Sequence, residues 1–290
     1  MTNVSVVVPT LNAGERIGEL LDRLRAQILP PDEVLVVDSG STDGTVALAR
    51  AHGARVLPIP RKAFDHGGTR DMAFRESTGE FVVFMTQDAL PVDERCIECL
   101  LQPFSDALVA AVGGKQVAWP DARPYERLIR AHNYPDENRV WVREDIPRLG
   151  VRAFMISDVL AAYRRKPYLE TGGFDHPIMT NEDMLMAQKL LDAGYRLAYS
   201  GEAVVYHSHR LTLCQEYRRN ELIGRTMKRY EQRFCHVQEM GTGTALAKAV
   251  AVELLREGHG MECIAFAVNC AMRLAGNRIG RWREEKGEKD

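Results

Sequence analysis

Four short apolar runs, each followed by a turn-forming loop, organise the first 90 positions of the chain. Residues 4–8 (VSVVV) end at Pro9, and residues 33–37 (EVLVV) end at Asp38 and Gly40. Residues 55–59 (RVLPI) form a weaker run and residues 80–85 (EFVVFM) a strong one. A strand that does not alternate apolar with polar residues is buried on both faces, as in a parallel sheet covered by helices. Helical patterns lie between the runs. Ile17, Leu20, Leu21, Leu24 and Ile28 recur at helical spacing over 14–28, and Val46, Ala47, Leu48 and Ala49 follow Ser41 and Thr42, which suit N-caps. A third short helix fits 69–78. This alternation predicts a right-handed, doubly wound α/β half.

The later pattern is mixed. Helices are predicted near 93–104 and 182–193, and strands at 108–112, near 153–157 and at 196–206. From residue 211 the chain turns helical and basic, and the segment REEKGEKD reads as a disordered tail. The 290 residues suit one large α/β domain with an appendage. The expected division is 1–210 as a catalytic unit (halves about 1–110 and 111–210), 211–283 as a helical extension, and 284–290 as tail.

A net charge of −2 argues against a nucleic-acid binder. The cations are 8 Lys and 30 Arg, and arginine carries meaning where it clusters. Residues 210–233 hold Arg210, Arg218, Arg219, Arg225, Lys228, Arg229 and Arg233 against three glutamates. A basic amphipathic helix there is expected either to pack on the catalytic unit or to touch an anionic membrane. The longest apolar stretch, MECIAFAVNCAMRLAG, is broken by Glu262, Asn269 and Arg273, so no spanning helix is expected. Cys96 and Cys99 lack a second pair at zinc spacing, and without a leader sequence the six cysteines read as cytoplasmic thiols.

Ligands of open α/β sheets bind beyond the carboxyl ends of the strands. After the first strand comes PTLN, with Gly14 and Gly18 but no G-x-G-x-x-G, which argues against a dinucleotide-binding enzyme. After the second comes DSGSTDGT, where Asp38 suits either turn formation or a bond to a base or ribose. After the third comes FDHGGTRD, in which two glycines permit close backbone approach and Arg70 offers a fork for phosphate. After the fourth comes TQDALP, where Asp88 suits either a helix cap or a divalent cation. In TNED, Thr180 and Asp183 fit a capping box, and either Glu182 or Asp183 suits a general base. His207 and His209 point the same way on a strand and suit a metal or phosphate contact.

In this order, VSVVVPTLN, EVLVVDSGSTDGT, GEFVVFMTQDALP, GGFD…NED and AVVYHSH, the chain resembles inverting family 2 glycosyltransferases of the GT-A fold. The likeness covers about residues 3–210. The FDHGGTRD loop, TQDALP and the tail motifs LTLCQEYRRNELIGR and ELLREG…GNRIGRW are similar to bacterial rhamnosyltransferases of that family. The resemblance implies an α/β, GT-A-like doubly wound mixed sheet with a helical extension. It places Pro9, Thr10, Asp38, Ser39, Arg70, Gln87 and Asp88 around the nucleotide-sugar donor, with Arg70 near its diphosphate. It implies Mg²⁺ or Mn²⁺ held by Asp88 and His207, and Asp183, beside Glu182, as general base. The implied reaction inverts the anomeric centre while moving a sugar, with dTDP-rhamnose the favoured donor, to a glycan or lipid-linked acceptor. Thr86 stands at the first acid of the Asp-x-Asp motif, Ser39 at a second acid, and Asp71 at a usual Asn. Thr86 weakens tight metal binding and keeps an inactive binding module open, whereas Ser39 speaks against a uridine-type donor and leaves room for a thymidine diphosphate sugar, another UDP- or GDP-sugar being the alternative. A nucleotidyltransferase would need a Gly-rich basic signature, which PTLNAGERIGEL fits poorly.

Overall fold

The continuous apolar runs become β1 (Val4–Thr10), β2 (Glu33–Asp38), β3 (Arg55–Pro58) and β4 (Phe81–Met85). They lie parallel in the order β3-β2-β1-β4. The computed structural model describes residues 3–209, 211–234 and 242–287. The crossovers are α1 (Glu15–Arg25), α2 (Thr45–Ala51) and α3 (His66–Glu76). Val4, Val6 and Val8 of β1 enter one core layer with Ile17, Leu20 and Leu24 of α1, while Val7 enters the other with Ala73 and Phe74 of α3. Both faces of β1 are thus covered, which is why its residues do not alternate.

The chain continues through β5 (Leu90–Pro91), α4 (Cys96–Leu101), β6 (Val109–Val117), α5 (Pro124–Asn133), β7 (Arg139–Trp141), α6 (Ile146–Leu149), β8 (Leu160–Arg164), α7 (Arg165–Glu170), α8 (Glu182–Asp192) and β9 (Arg196–Tyr206). β8 is antiparallel to both β4 and β6, and β6 is parallel to β9. β5 and β7 pair antiparallel with β9, making a mixed nine-stranded sheet.

Two local expectations need correction. The strand expected near 153–157 is a 3₁₀ turn, Gly150–Phe154, and the strand itself starts at Leu160. Ala153, Phe154 and Ile156 are buried in the core from that turn, and a short apolar run does not by itself distinguish turn from strand. The helix expected at 69–78 starts earlier, at His66, because Asp65 caps it by accepting the Gly68 N–H at 2.8 Å. Gly67 is therefore helical. A Cβ there would collide with the Asp175 carbonyl oxygen, so the glycine permits α3 to pack under residues 175–178.

The last helices are α9 (Leu213–Arg229), α10 (Thr242–Arg256) and α11 (Gly260–Glu285). α10 and α11 pack on α5 through Tyr125, Val250, Leu254 and Phe266. α9 packs along α11. The basic stretch at 210–233 is largely neutralised: Arg225 pairs with Glu221, Lys228 with Glu231, Arg229 with Glu284 and Arg233 with Asp175. It packs on the protein with most of its cations ion-paired, Arg218 and Arg219 being exposed with no ion pair among the described residues, and Arg210 lies outside the described residues. Glu284 and Glu285, expected in a disordered tail, belong to α11, whereas 288–290 lie outside the described residues. No helix among the described residues is long and apolar enough to cross a membrane.

Candidate active site

The carboxyl ends of β1, β2 and β4 meet, and their loops brace one another. The Ser39 N–H and hydroxyl both donate to the Thr10 carbonyl, at 3.0 Å each, and the Thr10 hydroxyl donates to the Val8 carbonyl. Both hydroxyls are thus engaged by backbone beside the half-buried Pro9. The Asp38 carboxylate accepts the N–H groups of Gly40 and Ser41 on Oδ2, at 3.1 and 3.0 Å. Its Oδ1 is buried with no partner, and so remains available to a donor group on a ligand. Gln87 was expected at the donor. Instead its amide accepts the Leu11 N–H at 2.8 Å and donates to the Leu11 carbonyl at 3.1 Å, tying the loop after β4 to the loop after β1.

Asp88 faces two histidines from the end of β9. Its Oδ2 lies 3.3 Å from His209 Nδ1 and 3.7 Å from His207 Nε2. The three ligand atoms lie within 4.8 Å of one another. Ligands adjacent on an octahedral ion with bonds near 2.1 Å stand about 3 Å apart, so a small closure would bring all three onto one cation. His207 is buried, and its Nε2 has no hydrogen-bond partner. Its Nδ1 lies 2.9 Å from Gln116 Oε1. The Gln116 amide donates to the Ser157 hydroxyl, and its oxygen also accepts from Arg130. Gln116 Oε1 must therefore accept from His207 Nδ1–H, which leaves the Nε2 lone pair turned to Asp88. Burial lowers the pKa of His207 well below the ordinary value, helped by Arg130, His209 and Arg219, and burial also lowers that of His209. Both shifts favour the neutral imidazole, the form that binds a metal. The buried Thr86 hydroxyl, at the first acid of the motif, has no partner.

A second cluster forms where α8 begins. Asn181, at φ 63°, is the N-cap residue and makes no side-chain cap bond, so the capping box expected from Thr180 and Asp183 is absent. Asp183 Oδ1 accepts the adjacent Met184 N–H at 2.8 Å. Glu182 lies 3.1 Å from Arg70 Nη1, and Asp158 lies 3.3 Å from Arg70 Nε. Arg70 is buried, and its guanidinium is enclosed by these carboxylates and by His66 Nδ1 at 2.9 Å. It neutralises the acid cluster, so the expectation that it faces the diphosphate gives way. Glu182 is held by Arg70, whereas among the described residues Asp183 forms no side-chain ion pair and accepts only backbone N–H groups. Burial raises its pKa well above the ordinary aspartate value, and the neighbouring Glu182 and Asp158 raise it further. Burial likewise raises that of Asp158 to about 7 against the pull of Arg70, with Tyr163 donating to it at 2.8 Å.

A cavity of about 340 Å³ adjoins the histidines. Tyr125 and Arg130 of α5, Ser208 and His209 after β9, Arg219 of α9, and Arg273 of α11 are among its lining residues. Among the described residues Arg219 forms no ion pair or hydrogen bond.

A family model described as "Glycosyl transferase family 2" matches residues 5–172. The chain belongs to this glycosyltransferase family. The transferase is 40% identical over 218 residues to the O-antigen chain rhamnosyltransferase RfbN of Salmonella typhimurium, an overlap covering 74% of this chain and 69% of that one. It is 38% identical over 221 residues to WbaN of Salmonella anatum, also an O-antigen chain rhamnosyltransferase, covering 76% and 70%. Its fold is similar to that of the mannosyltransferase PcManGT from Pyrobaculum calidifontis, solved with GDP-Man and Mn²⁺. There the TM-score is 0.66 at 22% identity, over 99% of this chain and 88% of that one.

Sequence reading placed Asp88 with His207 and singled out Asp183, and the structure puts these at two clusters. It named His209 in the i, i+2 pair without committing it to the metal. Asp158, in the turn before β8, carries no local signal, since what marks it is its contact with Arg70, far away in the sequence. Gln116 and Arg130 carry no local signal, being an ordinary strand residue and an ordinary helix residue.

Proposed function

We propose that this family 2 glycosyltransferase is metal-dependent and inverting. It moves L-rhamnose from dTDP-rhamnose to a hydroxyl of a glycan or lipid-linked acceptor during cell-surface polysaccharide synthesis. The observation that carries the mechanism is the pairing of a base-like Asp183 with the Asp88, His207 and His209 cluster, whose buried Nε2 lacks a partner. The two Salmonella relatives support the sugar.

Asp88, His207 and His209 would hold Mg²⁺ or Mn²⁺. When bound, that ion supplies positive charge to the departing diphosphate. The unpartnered Asp38 Oδ1 accepts an N–H of the base, and the Thr10–Ser39 bonds hold that loop in place. Asp183 takes the proton of the acceptor hydroxyl, whose oxygen attacks the anomeric carbon as the bond to diphosphate oxygen breaks. A single in-line displacement inverts the centre. The cavity beside His209 receives the acceptor, with Arg219 at its wall.

A panel of nucleotide sugars tests the donor. With Mn²⁺, dTDP-rhamnose is expected to raise the melting temperature and to be turned over in preference to UDP- and GDP-sugars. Preference for a UDP-hexose would overturn the assignment of the sugar. Asp183→Asn is expected to lower transfer at least 100-fold while donor binding is kept. Full transfer by that variant would remove Asp183 as the base.

A further inference from the structure

α10 and α11 turn apolar faces outward. On α11, Met261, Ile264, Val268, Ile279 and Trp282 fall within about 60° of the helix circumference at 100° per residue. They stay exposed, Met261 by 78%, Ile264 by 60% and Trp282 by 48%. Val252 and the 62% exposed Leu255 of α10 add to the apolar surface of the same helix pair. Single exposed apolar residues are ordinary, whereas a stripe running the length of a 26-residue helix marks an interaction surface.

Charge identifies the occupant. Lys248, Arg278 and Lys286 are exposed on these two helices and form no side-chain ion pair or hydrogen bond among the described residues, against one exposed acid, Glu285, in the same state. Trp282, with an apolar body and a polar N–H, sits between Arg278 and Lys286 in the sequence. An apolar stripe with unpaired cations complements an anionic bilayer surface. Against a second copy of the same face, the cations would meet like charge. The helix is too interrupted to span, which fits an orientation in the plane of the interface. The inward side of the same helix contributes Asn269 and Arg273 to the cavity beside the histidines.

We propose that the outer face of α10 and α11 docks the protein on an anionic lipid bilayer, replacing the basic stretch at 210–233 as the membrane-facing surface. The inference does not depend on which sugar is transferred.

The test is sedimentation of the full chain with vesicles of neutral phospholipid alone or with about one-third anionic phospholipid, at low and high salt. The expected result is binding to anionic vesicles that weakens with salt, together with a blue shift of tryptophan emission lost in Trp282→Phe. The double variant Ile264→Glu with Val268→Glu is expected to lose at least tenfold in bound fraction at an unchanged melting temperature. Arg278→Glu with Lys286→Glu is expected to remove the salt-sensitive part. The proposal is overturned if the wild type stays in the supernatant with anionic vesicles at low salt. It is equally overturned if the apolar double variant binds as the wild type does, or if the stripe instead mediates a dimer that the same variant dissolves while vesicle binding is absent.

Discussion

Arg70 shows how far one residue's role depends on its surroundings. In the sequence it is a fork beside two glycines. In the fold it is buried against Asp158 and Glu182, where removing it would strand two carboxylates in the interior. In the proposed mechanism that enclosure leaves Asp183 as the titrating base. A base works only when ionised, and the pKa of Asp183 is raised, so the rate is expected to fall at a higher pH than an ordinary aspartate would give. Asp158→Asn removes one of the negative charges that raise it. The acid limb of the kcat profile is therefore expected to move to lower pH, and an unmoved limb would count against Asp183 as the titrating base. Gln116 acts through His207 by setting its tautomer. Gln116→Leu is expected to weaken Mn²⁺ binding about 10- to 100-fold, read by titration calorimetry. An unchanged affinity would show that the amide is not what orients the ring.

At the scale of elements, the pairing of α9 with α11 has a specific physical cause. A Cβ on Gly280 would run into the Glu221 carbonyl, and one on Gly276 into that of Tyr217. The helix backbones approach that closely because nothing larger stands between them. Gly280→Val is expected to cost about 1–3 kcal/mol, seen as a lower denaturation midpoint, and to perturb the cavity wall that both helices share. A midpoint within error of the wild type would mean the helices part without loss. The same two glycines stand in GNRIG, a motif quoted for its likeness, but the sequence does not say which helix they meet. The strands fared differently. β1, β2 and β4 were legible because burial on both faces leaves a continuous apolar run. β8 was misplaced because the turn before it is as apolar as the strand.

Over the whole molecule, the proposed nucleotide and metal sites draw on parts far apart in the chain, so ligands should stabilise the fold cooperatively. Mn²⁺ with a nucleoside diphosphate at a hundredfold over its Kd is expected to add about 2.7 kcal/mol, read as a rise in melting temperature larger than either component produces alone. Strictly additive rises would argue against a shared site. The sequence by itself determined the parallel α/β half and the family motifs, and it singled out Asp88, His207 and Asp183 as candidates, because these are written in local periodicity and in short loops after strands. Tertiary structure alone decided which groups face each other. It enclosed Arg70 with acids, engaged Gln87 with the Leu11 backbone, brought Asp158 and Gln116 to the clusters, and turned the apolar side of α11 outward. Such pairings join residues tens of positions apart, and local periodicity carries no record of them.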